Sequence, residues 1–129
     1  MNKIIVEVSV GELLDKISIL EIKKGKIKDP EKLKFITNEH SILKNQLDSN
    51  VNSDDKLITL FNSLKEINAK LWVIEDDKRQ CEKDKDFGEK FIKLSRDIHF
   101  LNDDRAKIKL EINNHTGSSI KEIKEYTSY

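Results

Sequence analysis

Residues 57–115 read LITLFNSLKEINAKLWVIEDDKRQCEKDKDFGEKFIKLSRDIHFLNDDRAKIKLEINNH, and the spacing of their apolar residues decides the fold. Leu57, Leu60, Leu64, Ile67, Leu71, Ile74 and Cys81 recur every three or four positions, with Lys78 filling one place. Phe87, Phe91, Leu94, Ile98, Leu101, Ile108 and Ile112 then do the same. That period puts one apolar stripe on each of two helices, and the polar turn at Asp84 to Gly88 folds them antiparallel. In this register Ile74 faces Ile98, Leu71 faces Leu101 and Leu64 faces Ile108, while Trp72 falls beside Phe100. One position breaks the pattern. Arg105 stands where an apolar residue belongs, opposite Ile67 and near Asn68.

Towards the N-terminus a second, shorter hairpin is expected. Lys3 to Val8 is β-prone, an N-terminal strand or extended arm. Ser9 followed by Glu12 has the spacing of a capping box, so a helix should begin at Val10, with Val10, Leu13, Ile17 and Leu20 as its stripe and Gly25 as its end. Gly11 lies where free N–H groups attract anions, a place Glu12 is expected to fill. Asp29-Pro30 opens the next helix, with Leu33, Ile36, His40, Leu43 and Leu47 along it. Asp48 to Asp55 reads as a loop, after which Ser53 or Asp54 caps the third helix. The fold class is therefore all-α or nearly so: one domain over residues 1–129, built as two antiparallel helical hairpins forming a bundle. The first hairpin has helices of roughly 15 and 18 residues and the second helices of roughly 30, about 45 Å long, so the second outreaches the first. Ser118 to Tyr129 admits two readings, a short helix opened by Ser119 and Glu122 or a strand pairing with the N-terminal segment.

The composition excludes more than it assigns. Charged residues make up 37% of the chain, but Lys plus Arg and Asp plus Glu both total 24, so no net field favours nucleic acid or an anionic membrane, and neither is expected as a partner. Cys81 is the only cysteine, which leaves no internal disulfide and no CxxC motif. No secretory segment, membrane-length apolar run, Gly-rich phosphate loop or nucleophile elbow is present, and a cytoplasmic protein without a cofactor is the expectation. The acidic runs Glu75-Asp76-Asp77, Asp84 to Asp86 and Asp103-Asp104 do not converge in the register above, so no metal site is expected. His40, His99 and His115 have no second ligand at useful spacing.

Arg105 is different in kind, because an unpaired guanidinium in an apolar stripe costs several kcal/mol, on the order of a broken buried ion pair. Its candidate partners are Glu75 and Asp76 on the third helix and Asp15 and Glu21 on the first. Two readings stand: a buried ion pair that fixes helix register, or an anion-binding pocket made by Arg105 with Arg79 or Arg96 and a lysine. The tip of the long hairpin carries Cys81, Phe87, Phe91, Ile92 and Leu94 beyond the reach of the first hairpin. That uncovered apolar surface predicts a homodimer.

Val8-Ser9-Val10-Gly11-Glu12-Leu13-Leu14-Asp15-Lys16 with Ile19-Leu20-Glu21-Ile22-Lys23, then Leu71-Trp72 with Ile74-Glu75-Asp76 and Arg79, resembles a family of small bacterial and phage proteins known only as a domain of unknown function. Asn102-Asp103 with Arg105-Ala106, Ile108-Lys109 and Ile112-Asn113, together with Gly117-Ser118, Lys124 and Tyr126, extends the resemblance over nearly the whole chain. It implies a shared fold and no activity. Its motif residues coincide with the candidate pocket, namely Asp15, Glu21, Trp72, Glu75, Asp76, Arg79, Asp103 and Arg105. The functional expectation is an interaction or assembly module, homodimeric or with another protein as partner. The alternative is a small all-α enzyme or anion-binding protein with an Arg/carboxylate pocket.

Overall fold

The computed structural model describes residues 2–129. Four helices, α1 (Val10–Lys26), α2 (Pro30–Asn50), α3 (Asp55–Asp84) and α4 (Glu89–Thr116), account for the regular structure, and no strand occurs among the described residues. The chain is all-α, a bundle of two hairpins of which the second is longer.

The helix ends follow from local chemistry. Ser9 Oγ accepts the Glu12 N–H at 3.1 Å, Asp29 Oδ1 accepts the Glu31 N–H at 3.0 Å, and Asp54 Oδ1 accepts the Leu57 N–H at 2.8 Å, each satisfying a donor that has no partner within its helix. α3 closes on Lys85 in the left-handed region (φ 54), with the Asp86 N–H reaching back to the Cys81 carbonyl at 2.9 Å. Gly117 closes α4 the same way at φ 66, a conformation that costs glycine little.

Two helix boundaries differ from the sequence reading. Gly25 does not end α1, which continues to Lys26 and is capped by Ile27 in extended conformation; the stop comes from the Asp29-Pro30 start of α2. The loop between hairpins is Val51 to Asp54, because α2 continues through the polar Asp48-Ser49-Asn50 instead of stopping at Asp48. The termini also differ. Residues 2–9 and 118–129 form neither helix nor strand, and the two segments meet through a hydrogen bond from Ser119 Oγ to Glu7 Oε1 (2.7 Å) without pairing as strands.

α1 is the hub, packing against α2, α3 and α4, while α3 and α4 pack on each other and α2 has α1 as its only close helical neighbour. The core lies where α1 meets the hairpin: Leu14, Leu57, Leu60, Leu64 and Ile112 are buried there, with Val10, Leu47, Val51, Phe61 and Ile108 against them. α2 covers the outside of α1 and buries only Ile36. The base of the molecule is thus α1, α3 and α4 in mutual contact. A 17-residue helix spans about 25 Å and a 30-residue helix about 45 Å, so the outer half of α3 and α4 projects as a two-helix arm.

Candidate functional site

Along the contact of α1 with α4, two rows of residues at helical spacing meet. Gly11, Asp15 and Ser18 lie on one face of α1, and Arg105, Lys109 and Asn113 on one face of α4. The Gly11 N–H donates to Asn113 Oδ1 at 2.7 Å, and a Cβ on Gly11 would stand 2.6 Å from the Lys109 carbonyl oxygen. Only glycine permits that approach. The Val10 N–H donates to Ser118 Oγ at 3.1 Å and the Glu12 N–H to Ser9, so the α1 N-terminus is internally satisfied and holds no open anion site. The Glu12 carboxylate does not fill that place; it takes Lys109 Nζ at 2.7 Å.

One turn further on sits Asp15, 2% exposed. Arg105 holds it in a bidentate pair along one edge of its guanidinium, Nε to Oδ1 at 2.9 Å and Nη2 to Oδ2. Asn68 Nδ2 on α3 donates to Asp15 Oδ1 and to Ser18 Oγ, both at 2.8 Å, and Lys109 Nζ stands 3.7 Å from Oδ2. Burial by itself would raise the Asp15 pKa. The hydrogen bonds from Arg105 and Asn68 and the charges of Arg105 and Lys109 outweigh it and hold the carboxyl below its ordinary value. Among the described residues no buried side-chain polar atom lacks a partner, so this network is complete. It ties three helices together at one carboxylate.

Arg105 therefore takes Asp15, and not Glu75, Asp76 or Glu21, as its counter-ion. Its side chain stays 28% exposed, and Nη1 turns to Asn102 Oδ1 at 3.3 Å. That edge borders a cleft of about 370 Å³ which opens where α1 leaves the hairpin. Trp72, Glu75, Asp76 and Arg79 line it from α3, Asn102 and Arg105 from α4, and Ile19 from α1. Spacings of three and four place the four α3 residues on one face. Among the described residues Glu75, Asp76 and Arg79 form no ion pair.

The remaining two predicted residues lie elsewhere. Asp103 faces the opposite side of α4, where the C-terminal tail runs back along the helix. There it accepts the Tyr129 hydroxyl, and the Tyr129 ring sits 4.9 Å from His99 and 5.4 Å from Phe100. Tail and helix enclose a second cleft of about 470 Å³ that shares Arg105 and Asn102 with the first and is lined also by His99, Lys109, Lys124 and Tyr126. Glu21 points to the other side of α1, pairing with Lys65 at 3.0 Å and His40 at 3.3 Å. Partial burial works to raise its pKa, and the Lys65 and His40 contacts bring it below the ordinary value. Arg96 lies over the Phe100 ring and joins neither cleft around Arg105. Among the described residues no three His, Cys, Asp or Glu side chains stand close enough to hold a metal ion, and no helix is long and apolar enough to cross a membrane.

Sequence reasoning did not assign Lys109, Asn113 or Ser18 to the site, although Lys109 and Asn113 stand in the motifs that carry the family resemblance. Their signal was present, since Arg105, Lys109 and Asn113 repeat every four residues beside the apolar Ile108 and Ile112. The chain belongs to the family of unknown function DUF6165, whose model matches residues 4–129. No curated protein matches the chain. No solved structure matches it.

Proposed function

We propose that the protein is a helical interaction module that associates with a second copy of itself through the α3–α4 arm. The observation that carries this reading is the uncovered repeat. Beyond Leu71 and Leu101 the apolar stripe continues with no third helix over it. Phe87, Ile92 and Phe100 are exposed, and Trp72, Ile74, Phe91, Leu94 and Ile98 are only partly covered; Cys81, expected on this surface, is instead buried. Apolar surface of this extent favours association, and a two-fold symmetric contact between copies is the simplest way to cover it. Sedimentation velocity tests it: the chain should sediment as a dimer at tens of micromolar, and Ile92→Asp, at a position 55% exposed, should release monomers that keep their helix content. A clean wild-type monomer over that range removes the reading.

A second reading rests on the first cleft, where Arg79 has no carboxylate partner among the described residues and one edge of Arg105 faces outward. In this reading Arg105 and Arg79 receive an anionic ligand beside Trp72, within the Arg/carboxylate pocket lined by Trp72, Glu75 and Asp76, while the buried Asp15 holds Arg105 from behind. Trp72 is the only tryptophan, so its fluorescence reports the cleft alone. A saturable change on titrating small anionic metabolites, abolished by Arg79→Met, supports it; a flat response across the set sinks it.

A further inference from the structure

Residues 2–8 leave the base of the molecule as an irregular, exposed arm. Ile4 is 87% exposed and Ile5 82%, with Val6 and Val8 exposed beside them. Among the described residues no backbone hydrogen bond ties this segment to the rest of the chain, and its one polar contact is the Ser119 hydroxyl on Glu7. Ile4, Ile5, Val6 and Val8 are β-branched and make the segment a strand by propensity, and its unpaired N–H and C=O groups form a template for another strand. The C-terminal tail lies beside it and does not pair with it.

The order of residues says which strand fits. Set antiparallel against a second copy with Ile5 opposite Ile5, Lys3 faces Glu7 of the partner subunit and Glu7 faces Lys3 of the partner subunit. Ile4 meets Val6 of the partner subunit on the other face, and Val6 meets Ile4 of the partner subunit. Every pair is then apolar with apolar or cation with anion, both of which stabilise cross-strand neighbours. Parallel in-register pairing would put Lys3 beside Lys3 and Glu7 beside Glu7. An antiparallel register shifted by two residues would set one of the charges against Ile5 and leave the other without a counter-charge. We propose that residues 3–7 of two copies pair as a two-stranded antiparallel ribbon centred on Ile5, a self-complementary interaction surface at the base of the molecule. This contact does not use the α3–α4 arm and stands or falls apart from it.

A lone two-stranded ribbon is marginal, so the pairing should depend on concentration. Infrared amide spectra of the full chain over a dilution series read it directly, because the bundle is helical and an antiparallel strand signal has no other source. The expected result is a strand signal that grows with concentration. Lys3→Glu and Glu7→Lys should each weaken pairing about tenfold or more, by turning both charge contacts repulsive. An equimolar mixture of those two variants should regain it, since each supplies the charge the other lacks, and so should the double exchange K3E/E7K. Ser119→Ala removes the hydroxyl that Glu7 accepts within its own chain, and it should leave the strand signal unchanged. A strand signal independent of concentration means pairing within one chain and overturns the proposal, as does no strand signal at all or a mixture that fails to recover. Ile92→Asp should leave the strand signal in place, so failure of the α3–α4 reading and failure of this one are told apart.

Discussion

Leu64 and Leu94 hold the same kind of position in the heptad repeat of the long hairpin, and their surroundings differ. Leu64 is fully buried among Leu14, Leu57, Leu60 and Ile112, because α1 closes the third side of the base. Leu94 lies in the arm, where α3 and α4 have only each other, and it stays partly exposed. The polar residues divide in the same way. In the base Asp15, Asn68, Arg105 and Lys109 satisfy one another, whereas in the arm Glu75, Asp76 and Arg79 make no ion pairs among the described residues. A repeat fixes which face of a helix is apolar. A third helix decides whether that face becomes a core.

The largest effect should come from breaking the base at its charged centre. Asp15→Ala leaves Arg105 and Asn68 without their acceptor and should cost about 3–5 kcal/mol in chemical denaturation, against about 0.5 kcal/mol or less for Glu75→Ala in the arm. The same carboxylate predicts a pH dependence. Its folded pKa lies below the ordinary 3.8, so its contribution is fully present above that value and disappears as pH falls through the lower folded one. Asp15→Asn should therefore flatten the acid limb of a stability–pH curve below about pH 4. An unchanged limb would mean the carboxylate does not sense folding.

Next come the apolar positions. Leu64→Ala should cost about 3 kcal/mol, through reduced burial and the cavity left behind, and Leu94→Ala about 1 kcal/mol in the monomer. Equal losses would show that the arm is as enclosed as the base. Last is a pair of opposite sign within α1. Gly11→Ala drives a methyl into the Lys109 carbonyl and should destabilise by about 2 kcal/mol. Gly25→Ala meets nothing within 4 Å and should stabilise by about 0.5–1 kcal/mol, since alanine replaces glycine inside a helix. Both are readable in thermal melts.

Four helices, their order and most of their caps are legible in the sequence, because period and capping residues are local signals. The Asp15 partner of Arg105 is legible only as one of four carboxylates. Choosing among them requires knowing which face of α1 meets α4, and that depends on the close approach at Gly11, which in sequence resembles any glycine at a helix start. Glu21 reads as part of the same pocket because it flanks the apolar stripe; it leaves α1 on the side of α2 and α3 and finds Lys65 and His40. The two readings of the C-terminal segment, a short helix or a strand paired with the N-terminal one, are both unrealised for a different reason. Propensity marks Lys3 to Val8 as β-prone, but a strand needs a partner, and the tail is held along α4 by Lys109, Asp103 and the His99 and Phe100 rings instead.

Those two terminal segments leave the base side by side, with Ser118 on Val10 and Ser119 on Glu7. The molecule is therefore close to a closed loop. A short glycine-rich linker joining residue 119 to residue 8, with new ends cut between Val51 and Asp54, would yield a circular permutant. The same Asp15 network would then assemble from a chain read in a different order, with the segment that carries Lys3 and Glu7 removed from its start.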